Sequence, residues 1–373
     1  MSVPFIDLKR FEEGFLSRWS SKVAEMSAKA EFIGGNEVAI LENRLAEYSQ
    51  VTQVVSCANG TDAIQLALRA IGVGSGDLVL VQNMTFWSTF EAVINVSANP
   101  VTVDIDLSDG GIDIDAFEEA VIKFKPKAAV IAHIYGWASA KLEEIRDFSK
   151  ANGVLLIEDG AQCFGAQFKG ESIYKNALIS TTSFYPAKVL GGAGDGGAVL
   201  TNDFALAEKV RQLGNHGRTT HYGYEAVGWN SRLDSLQAAF LNISLDYLPQ
   251  RLASRREAVN YYNNTLPKLG LKQINAPGVY LENGYCNVCL LEDDDQKTRL
   301  EAALKEDAIG FGNIYPGAMS EQLGAKGFLH AHVGEYNAQR LCRSVLNLPL
   351  FPYMKLEELV EVTDTVSRIL VKR

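Results

Sequence analysis

Ser180-Thr-Thr-Ser-Phe-Tyr-Pro-Ala-Lys188-Val-Leu-Gly-Gly-Ala-Gly-Asp-Gly-Gly-Ala-Val-Leu-Thr-Asn202 is the stretch whose reading decides the fold. A β-branched run ending at Ser183 and Phe184 stops at Pro186, a lysine follows, and five glycines fall within residues 191–197 before a second strand-like run, Ala198–Thr201. Lys188 is therefore expected on a turn between two strands. Glycines let backbone and flat ligands approach closely, and a lysine so placed can lose its proton and attack a carbonyl. A surface lysine in a hairpin loop has the same local pattern, so the upstream residues must choose between the two readings.

Upstream, Val54–Cys57 reads as a short strand followed at once by Ala58-Asn-Gly-Thr-Asp62 and a helical run, Ala63–Ile71, that Gly72 stops. A small-residue turn between a strand and a helix start aims backbone N–H groups at a phosphate, and the helix dipole adds to the attraction. Thr61 or Asp62 could equally be a plain helix cap. Further strands are expected at Leu78–Gln82, Val101–Asp104, Ala128–His133, Val154–Glu158, Ile179–Phe184 and Ala198–Thr201, which makes seven with the first. Most alternate with helical segments near Phe90–Val96, Phe117–Phe124 and Leu142–Ala151. Apolar strands alternating with helices predict an α/β fold with a mostly parallel sheet covered on both faces. Ligands gather beyond the carboxyl ends of such strands, where Gly60, Thr61, Phe86, His133, Asp159 and Ser183 fall. Asp159 ends a buried strand and needs a cationic or hydrogen-bonding partner to stay charged. Gln162, one short step on, can cap, pack or bind a ligand.

Beyond the sheet, Ala205–Leu213 reads as a helix leading into a loop with His216 and Arg218, and Leu236–Leu248 is helical again. The polar stretch from Pro249 to Arg256 is the expected boundary between a large unit, residues 1–248, and a smaller α+β unit, residues 249–373. The smaller unit should hold a long helix to Leu266, a strand near Tyr285–Leu291 and helices near Lys297–Lys305 and Leu356–Leu370.

The whole chain has 373 residues, 47% hydrophobic content and a net charge of −10, the balance of a folded protein and the reverse of one built to hold nucleic acid or an anionic membrane. Met1–Arg10 carries charges and no apolar core of a signal peptide, and no run approaches membrane-spanning length. A cytoplasmic location is expected. Cysteines 57, 163, 286, 289 and 342 are scattered, which argues against a disulfide framework. Cys286-x-x-Cys289 lies in an apolar run without a second pair, and His330 and His332 lack further ligands at useful spacing, so no metal is expected.

Taken in order, Asn59-Gly-Thr-Asp62, Ile157-Glu-Asp-Gly-Ala-Gln162, Ser183-Phe-Tyr-Pro-Ala-Lys188, Gly194-Asp-Gly-Gly197 and Asn230-Ser-Arg-Leu-Asp-Ser-Leu-Gln237 resemble the DegT/DnrJ/EryC1/StrS family of sugar aminotransferases. The resemblance runs from Phe5 to Leu350. It implies the aspartate-aminotransferase type of fold and the cofactor pyridoxal 5′-phosphate, with pyridoxamine 5′-phosphate formed in turnover. Under it Lys188 binds the cofactor covalently and shuttles the proton, and Asp159 pairs with the pyridine nitrogen. Gln162 contacts the ring hydroxyl, Phe86 stacks on the ring, and Gly60, Thr61 and Ser183 hold the phosphate with Asn230 of a neighbouring subunit. A homodimer follows from that sharing. The implied substrates are L-glutamate and a UDP- or dTDP-linked keto-sugar with its ketone at C3 or C4, for surface-polysaccharide or secondary-metabolite glycosylation. The opening Val3-Pro-Phe-Ile-Asp-Leu-Lys9 is more similar to members acting at C3 of a UDP-linked N-acetylated sugar. His216, Arg218, Arg232, Tyr315 and Lys326 are available for substrate contacts, and solvated surface roles are equally open to the basic ones. The run Asn313-Ile-Tyr-Pro-Gly-Ala-Met319 lacks histidines that many members carry around the tyrosine-proline pair, and Phe351 stands where a histidine often follows the late Leu-Pro, which puts sugar contacts carried over to the small unit in doubt. Two rivals keep the fold: a sugar dehydratase, which has histidine in place of the lysine, and a regulatory member without catalysis.

Overall fold

The computed structural model describes residues 3–220 and 222–370. Its centre is an eight-stranded sheet of β1 (Gln53–Cys57), β2 (Leu78–Gln82), β3 (Asn99–Val103), β4 (Ala128–Ala132), β5 (Leu155–Asp159), β6 (Ile179–Ser183), β7 (Gly197–Thr201) and β8 (Ala331–Val333). Spatial order is β1-β7-β6-β5-β4-β2-β3-β8. Only β7 runs against its neighbours, pairing antiparallel with both β1 and β6. The seven strands expected from sequence are all present, and an eighth arrives from the C-terminal part of the chain. Ala331–Val333 is three residues long and pairs in parallel with Val101–Val103, too short a run to stand out by periodicity. His332 lies in it, its ring Nδ1 3.0 Å from the Thr102 hydroxyl.

Helices α1 (Phe15–Lys29), α2 (Asn36–Ser49), α3 (Gly60–Ala70), α4 (Trp87–Asn95), α5 (Ile114–Phe124), α6 (Leu142–Ala151) and α7 (Phe204–Gly214) precede a 31-residue α8 (Ser235–Thr265). Two apolar clusters cover the sheet, one joining Phe117, Ile145 and Leu241 to one face and the other joining Leu66, Phe90 and Val210 to the opposite face. Burying both faces is what makes parallel strands apolar throughout. Asn59 caps α3 by accepting from the Asp62 N–H at 2.8 Å, so neither Thr61 nor Asp62 is the cap.

The polar stretch 249–256 is not a break in the chain. α8 passes through it, Pro249 included, and carries the chain from the sheet to the C-terminal elements α9 (Asp294–Glu306), α10 (Asn337–Ser344) and α11 (Leu356–Leu370). Polarity there comes mainly from Arg251, Arg255 and Arg256, which pack inward onto Glu12 and onto the carbonyls of Gly284 and Glu282, and a boundary drawn from composition cannot distinguish such a run from a linker. The N-terminus also crosses over: Val3 is buried with Leu300, Leu346 and Val362 and bridges to Ile309.

At the end of β5, adjacent carboxylates part company because successive strand residues face opposite ways. Glu158 points toward α6, where Arg146 donates from Nε and Nη2 at 2.7 and 2.8 Å and the His133 ring nitrogen Nε2 lies at 2.8 Å. Burial alone would raise its pKa, yet Arg146 and His133 hold it at about 2, against an ordinary 4.5. A carboxylate with a depressed pKa lends stability that is complete above its ordinary range and drains away as pH falls toward its folded value. Arg146→Met is expected to cost about 3–5 kcal/mol by stranding the buried charge. Urea unfolding at several pH values should show the gap to wild type narrowing between about pH 4.5 and about 2.

Candidate active site

The carboxyl ends of β1, β2, β4, β5 and β6 open on one cavity of about 710 Å³. Its wall brings together Gly60, Thr61, Phe86, Asp159, Gln162, Ser183 and Lys188, with Tyr285, Ile314 and Tyr315 entering from the C-terminal part. Because β7 is antiparallel, its amino end lies here too, so the glycine-rich turn from Lys188 to Gly197 returns past the cavity and places Asp195 in the wall.

Asp159 is 7% exposed. Its Oδ2 accepts from the Thr89 hydroxyl at 2.8 Å and its Oδ1 from the Ala161 N–H at 3.1 Å. Thr89 lies 2.9 Å from Thr85, one helical turn before it, and donating to Asp159 leaves Thr89 to accept from Thr85. Sequence reading missed both threonines. Their i, i+4 spacing at the start of α4 was a signal for a shared face, but only the tertiary placement of that start beside the end of β5 aims the face at the carboxylate.

Gln162 is fixed from two sides. Its Oε1 accepts from the Tyr135 N–H at 2.7 Å and its Nε2 donates to the Tyr315 hydroxyl at 2.5 Å, which leaves a second N–H on the same nitrogen. Burial pushes the Tyr315 phenol well above its ordinary pKa, so it stays protonated. Lys188 Nζ lies 5.3 Å from the centre of the Tyr285 ring, and among the described residues no carboxylate is within ion-pair distance of it. Phe86 is 62% exposed with its ring at the cavity, while Trp87 turns inward onto Phe90.

At the far end, α3 begins against β6. The first N–H groups of a helix have no intrahelical acceptor, and Asn59 satisfies that of Asp62, which leaves those of Gly60 and Thr61 at the wall beside Ser183. A side chain at 60 would bring its Cβ within 2.8 Å of Ser183 Cβ, and one at 197 within 2.4 Å of the Asn59 carbonyl oxygen. The glycines are therefore needed for this close approach.

Other residues singled out by sequence lie elsewhere. His216 and Asn230 are exposed, and Asn230 bridges to Asn215. Arg218 and Arg232 both donate to the Asn215 side chain, at 2.9 and 3.5 Å. Lys326 is exposed on a short turn. None of the five lines this chain's cavity, whereas Tyr315 does. No group of three or more His, Cys, Asp or Glu placed to hold a metal occurs among the described residues, and no helix there is long and apolar enough to cross a membrane.

This constellation on this sheet is that of an aminotransferase. Residues 17–367 match the DegT/DnrJ/EryC1/StrS aminotransferase family, and the chain belongs to it. It is 35% identical over 370 residues, 99% of this chain and 98% of the relative, to a UDP-N-acetyl-3-dehydro-alpha-D-glucosamine 3-aminotransferase of Acidithiobacillus ferrooxidans. It is 34% identical over 353 residues, covering 94% and 96%, to a UDP-2-acetamido-2-deoxy-3-oxo-D-glucuronate aminotransferase of Pseudomonas aeruginosa. The crystal structure of Streptomyces venezuelae DesV, in complex with a ketimine intermediate, superposes with a TM-score of 0.93 at 31% identity, covering 100% of this chain and 99% of that one.

Aminotransferases of this family work with pyridoxal 5′-phosphate, and the donor set fits it. A phosphate needs donors, and the unsatisfied N–H groups of Gly60 and Thr61 supply them. A pyridinium needs an anion, a ring hydroxyl needs a donor and an aldehyde needs an amine, which Asp159, the spare Gln162 N–H and Lys188 provide within one cavity. Gly60→Ala should weaken cofactor binding more than about tenfold by wedging α3 from β6. Titration of apoenzyme with pyridoxal 5′-phosphate, followed by fluorescence, measures it.

Proposed function

We propose that this cavity moves an amino group from L-glutamate to the ketone of a nucleotide-linked sugar, most closely a UDP-linked N-acetylated 3-keto sugar. The observation that carries the reading is the pairing in one cavity wall of an amine free of ion pairs, Lys188, with a buried carboxylate, Asp159, already held by Thr89 and Ala161. Both relatives described above act on UDP-linked 3-oxo sugars, which favours that class. A lysine at 188 also sets the chain apart from dehydratases and from members without catalysis.

Pyridoxal 5′-phosphate, when bound, supplies an electron sink for the carbanion left by proton removal. Everything else falls to the chain. Lys188 Nζ would hold the cofactor through its aldehyde carbon and, when the donor amine takes that place, would be the base positioned for the proton of the donor's α-carbon. Asp159 would pair with the ring nitrogen, its own orientation set by Thr89. Gln162 orients the ring hydroxyl, braced by Tyr135 and Tyr315. Phe86 covers a ring face, and Gly60, Thr61 and Ser183 fix the phosphate.

The site is completed by a second copy of the chain. Asn230, Tyr224 and Val227 are exposed and lie outside the wall of this chain's own cavity, which leaves them free to meet a neighbour. His216, Arg218 and Arg232 on the same segment would then serve the partner's cavity.

Purified enzyme incubated with L-glutamate and a panel of UDP- and dTDP-keto-sugars, with products read by mass spectrometry and NMR, tests the reaction; no aminated sugar from any member would overturn it. Lys188→Ala should abolish turnover with the fold intact by circular dichroism. Asp159→Asn should retain cofactor loosely and slow α-proton removal by about a thousandfold or more, seen as a primary deuterium isotope effect on the glutamate half-reaction. Mixing inactive Lys188→Ala with inactive Asn230→Ala chains should restore about a quarter of wild-type activity, because random pairing rebuilds one intact site in half of the dimers.

A further inference from the structure

Gln162 and Tyr285 line the active-site cavity from distant parts of the chain, and one side chain outside its wall joins them. Asn283 is fully buried. Its Nδ2 donates to the carbonyl oxygens of Gln162 at 2.8 Å and Phe164 at 3.0 Å, and its Oδ1 accepts from the Tyr285 N–H at 2.9 Å. All three partners are backbone groups that act in only one sense, which fixes the way the amide points. The bond to Tyr285 is a local turn. The other two cross from the C-terminal part of the chain to the loop that follows β5.

A third turn closes on the same amide. Gly136 has φ +108°, and a Cβ there would lie 2.4 Å from Asn283 Oδ1 and 3.4 Å from the Tyr285 nitrogen. The residue before it, Tyr135, gives its N–H to Gln162 Oε1. From behind, Arg256 Nε donates to the Glu282 carbonyl at 2.7 Å and Arg255 Nη1 to that of Gly284 at 3.1 Å. Arg255 also lines a second cavity, of about 360 Å³, on the other side of the lysine turn. It has no carboxylate partner among the described residues and serves here as a clamp on backbone carbonyls.

A buried amide with both its N–H groups and its oxygen engaged holds its partners at fixed separations, and an apolar side chain of the same size would strand them. The backbone of Gln162 and that of Tyr285 are thus held through one side chain. In the function proposed above Gln162 donates to the ring hydroxyl, and the Tyr285 ring centre stands 5.3 Å from Lys188 Nζ. Small errors in the placing of such groups are costly to a transfer between positioned atoms. We propose that Asn283 is a positioning residue for the proton transfer: acting through Gln162 and Tyr285, it sets where the donor to the ring hydroxyl stands relative to the Lys188 amine. This deepens the transaminase reading above and rests on it. The phosphate end, at Gly60, Thr61 and Ser183, makes no hydrogen bond to Asn283, so the two effects can be measured apart.

The test compares wild-type holoenzyme with Asn283→Leu and with Val362→Ala, a core variant in the remote C-terminal cluster. A loosened Gln162 leaves the ring hydroxyl's oxygen more basic, so the pH midpoint of the visible cofactor band should rise by about half a unit or more in Asn283→Leu, in the direction that Gln162→Leu moves it. In stopped flow with L-glutamate deuterated at the α-carbon, the limiting rate of bleaching should fall about tenfold or more with a larger primary isotope effect, while pyridoxal 5′-phosphate affinity changes less than about threefold. Gly136→Ala, which presses on the same amide from the other side, should raise the midpoint too, and Asn283→Ser should raise it less than Asn283→Leu. Val362→Ala should keep the wild-type midpoint and isotope effect. An unchanged midpoint in folded Asn283→Leu overturns the proposal, as does an equal shift in Val362→Ala or a loss confined to cofactor affinity. If Asn283→Leu does not fold, a midpoint unchanged in both Gly136→Ala and Asn283→Ser overturns it. Failure of wild type to bleach with glutamate would instead strike the transaminase reading, and the midpoint still reads Asn283.

Discussion

A carboxylate at the mouth of a buried strand sets the terms for the rest of this structure. Asp159 has little contact with water, and the protein gives it a threonine hydroxyl and a backbone N–H, enough to orient it but no formal positive charge. In the function proposed above, a protonated ring nitrogen would supply that positive charge. Its neighbour Glu158 shows the other solution, neutralised within the chain by Arg146 and His133 on the opposite face of the sheet. One strand end thus sends two neighbouring carboxylates to opposite faces, with different partners, by its pleat alone.

The strand order then determines what meets Asp159. Parallel strands deliver their carboxyl ends, with Thr85, Phe86, Gln162, Ser183 and Lys188, to one side of the sheet. The single reversed strand, β7, lets the chain turn back within a few residues of Lys188 instead of crossing over a helix. Its first residue, Gly197, lies so close to Asn59 that no side chain is possible, which couples the lysine turn to the phosphate end.

The junction of the two parts of the chain is built around α8. One helix belongs to the sheet at its start and to the C-terminal cluster at its end, and Arg255, midway, donates to loops around Gly284 and Leu350. The N-terminal segment threads the same junction, which is why a second cavity opens behind Lys188 and why its walls draw on distant parts of the chain.

Local pattern made most of this legible. Short apolar runs bounded by Gly, Pro and helical spacing located seven strands of the sheet, and the order of Asn59-Gly-Thr, Asp159-x-x-Gln162 and Lys188 named the chemistry, because strand ends and turns are written in adjacent residues. The smaller pieces were not local. β8 is three residues whose only reason to be a strand is the edge of β3; Thr89 reaches Asp159 because the start of α4 lies beside the end of β5; Tyr285 and Tyr315 reach the cavity from another part of the chain; and the arginine-rich middle of α8 imitates a linker until both its ends are seen packed. The amino-acid order by itself determined which groups could react and which segments would be strands, since those follow from neighbours along the chain. Tertiary structure alone decided which carboxylates share a cavity wall with the amine, which arginine is left without a carboxylate partner and which cavity each lines, since those depend on contacts between residues far apart in sequence.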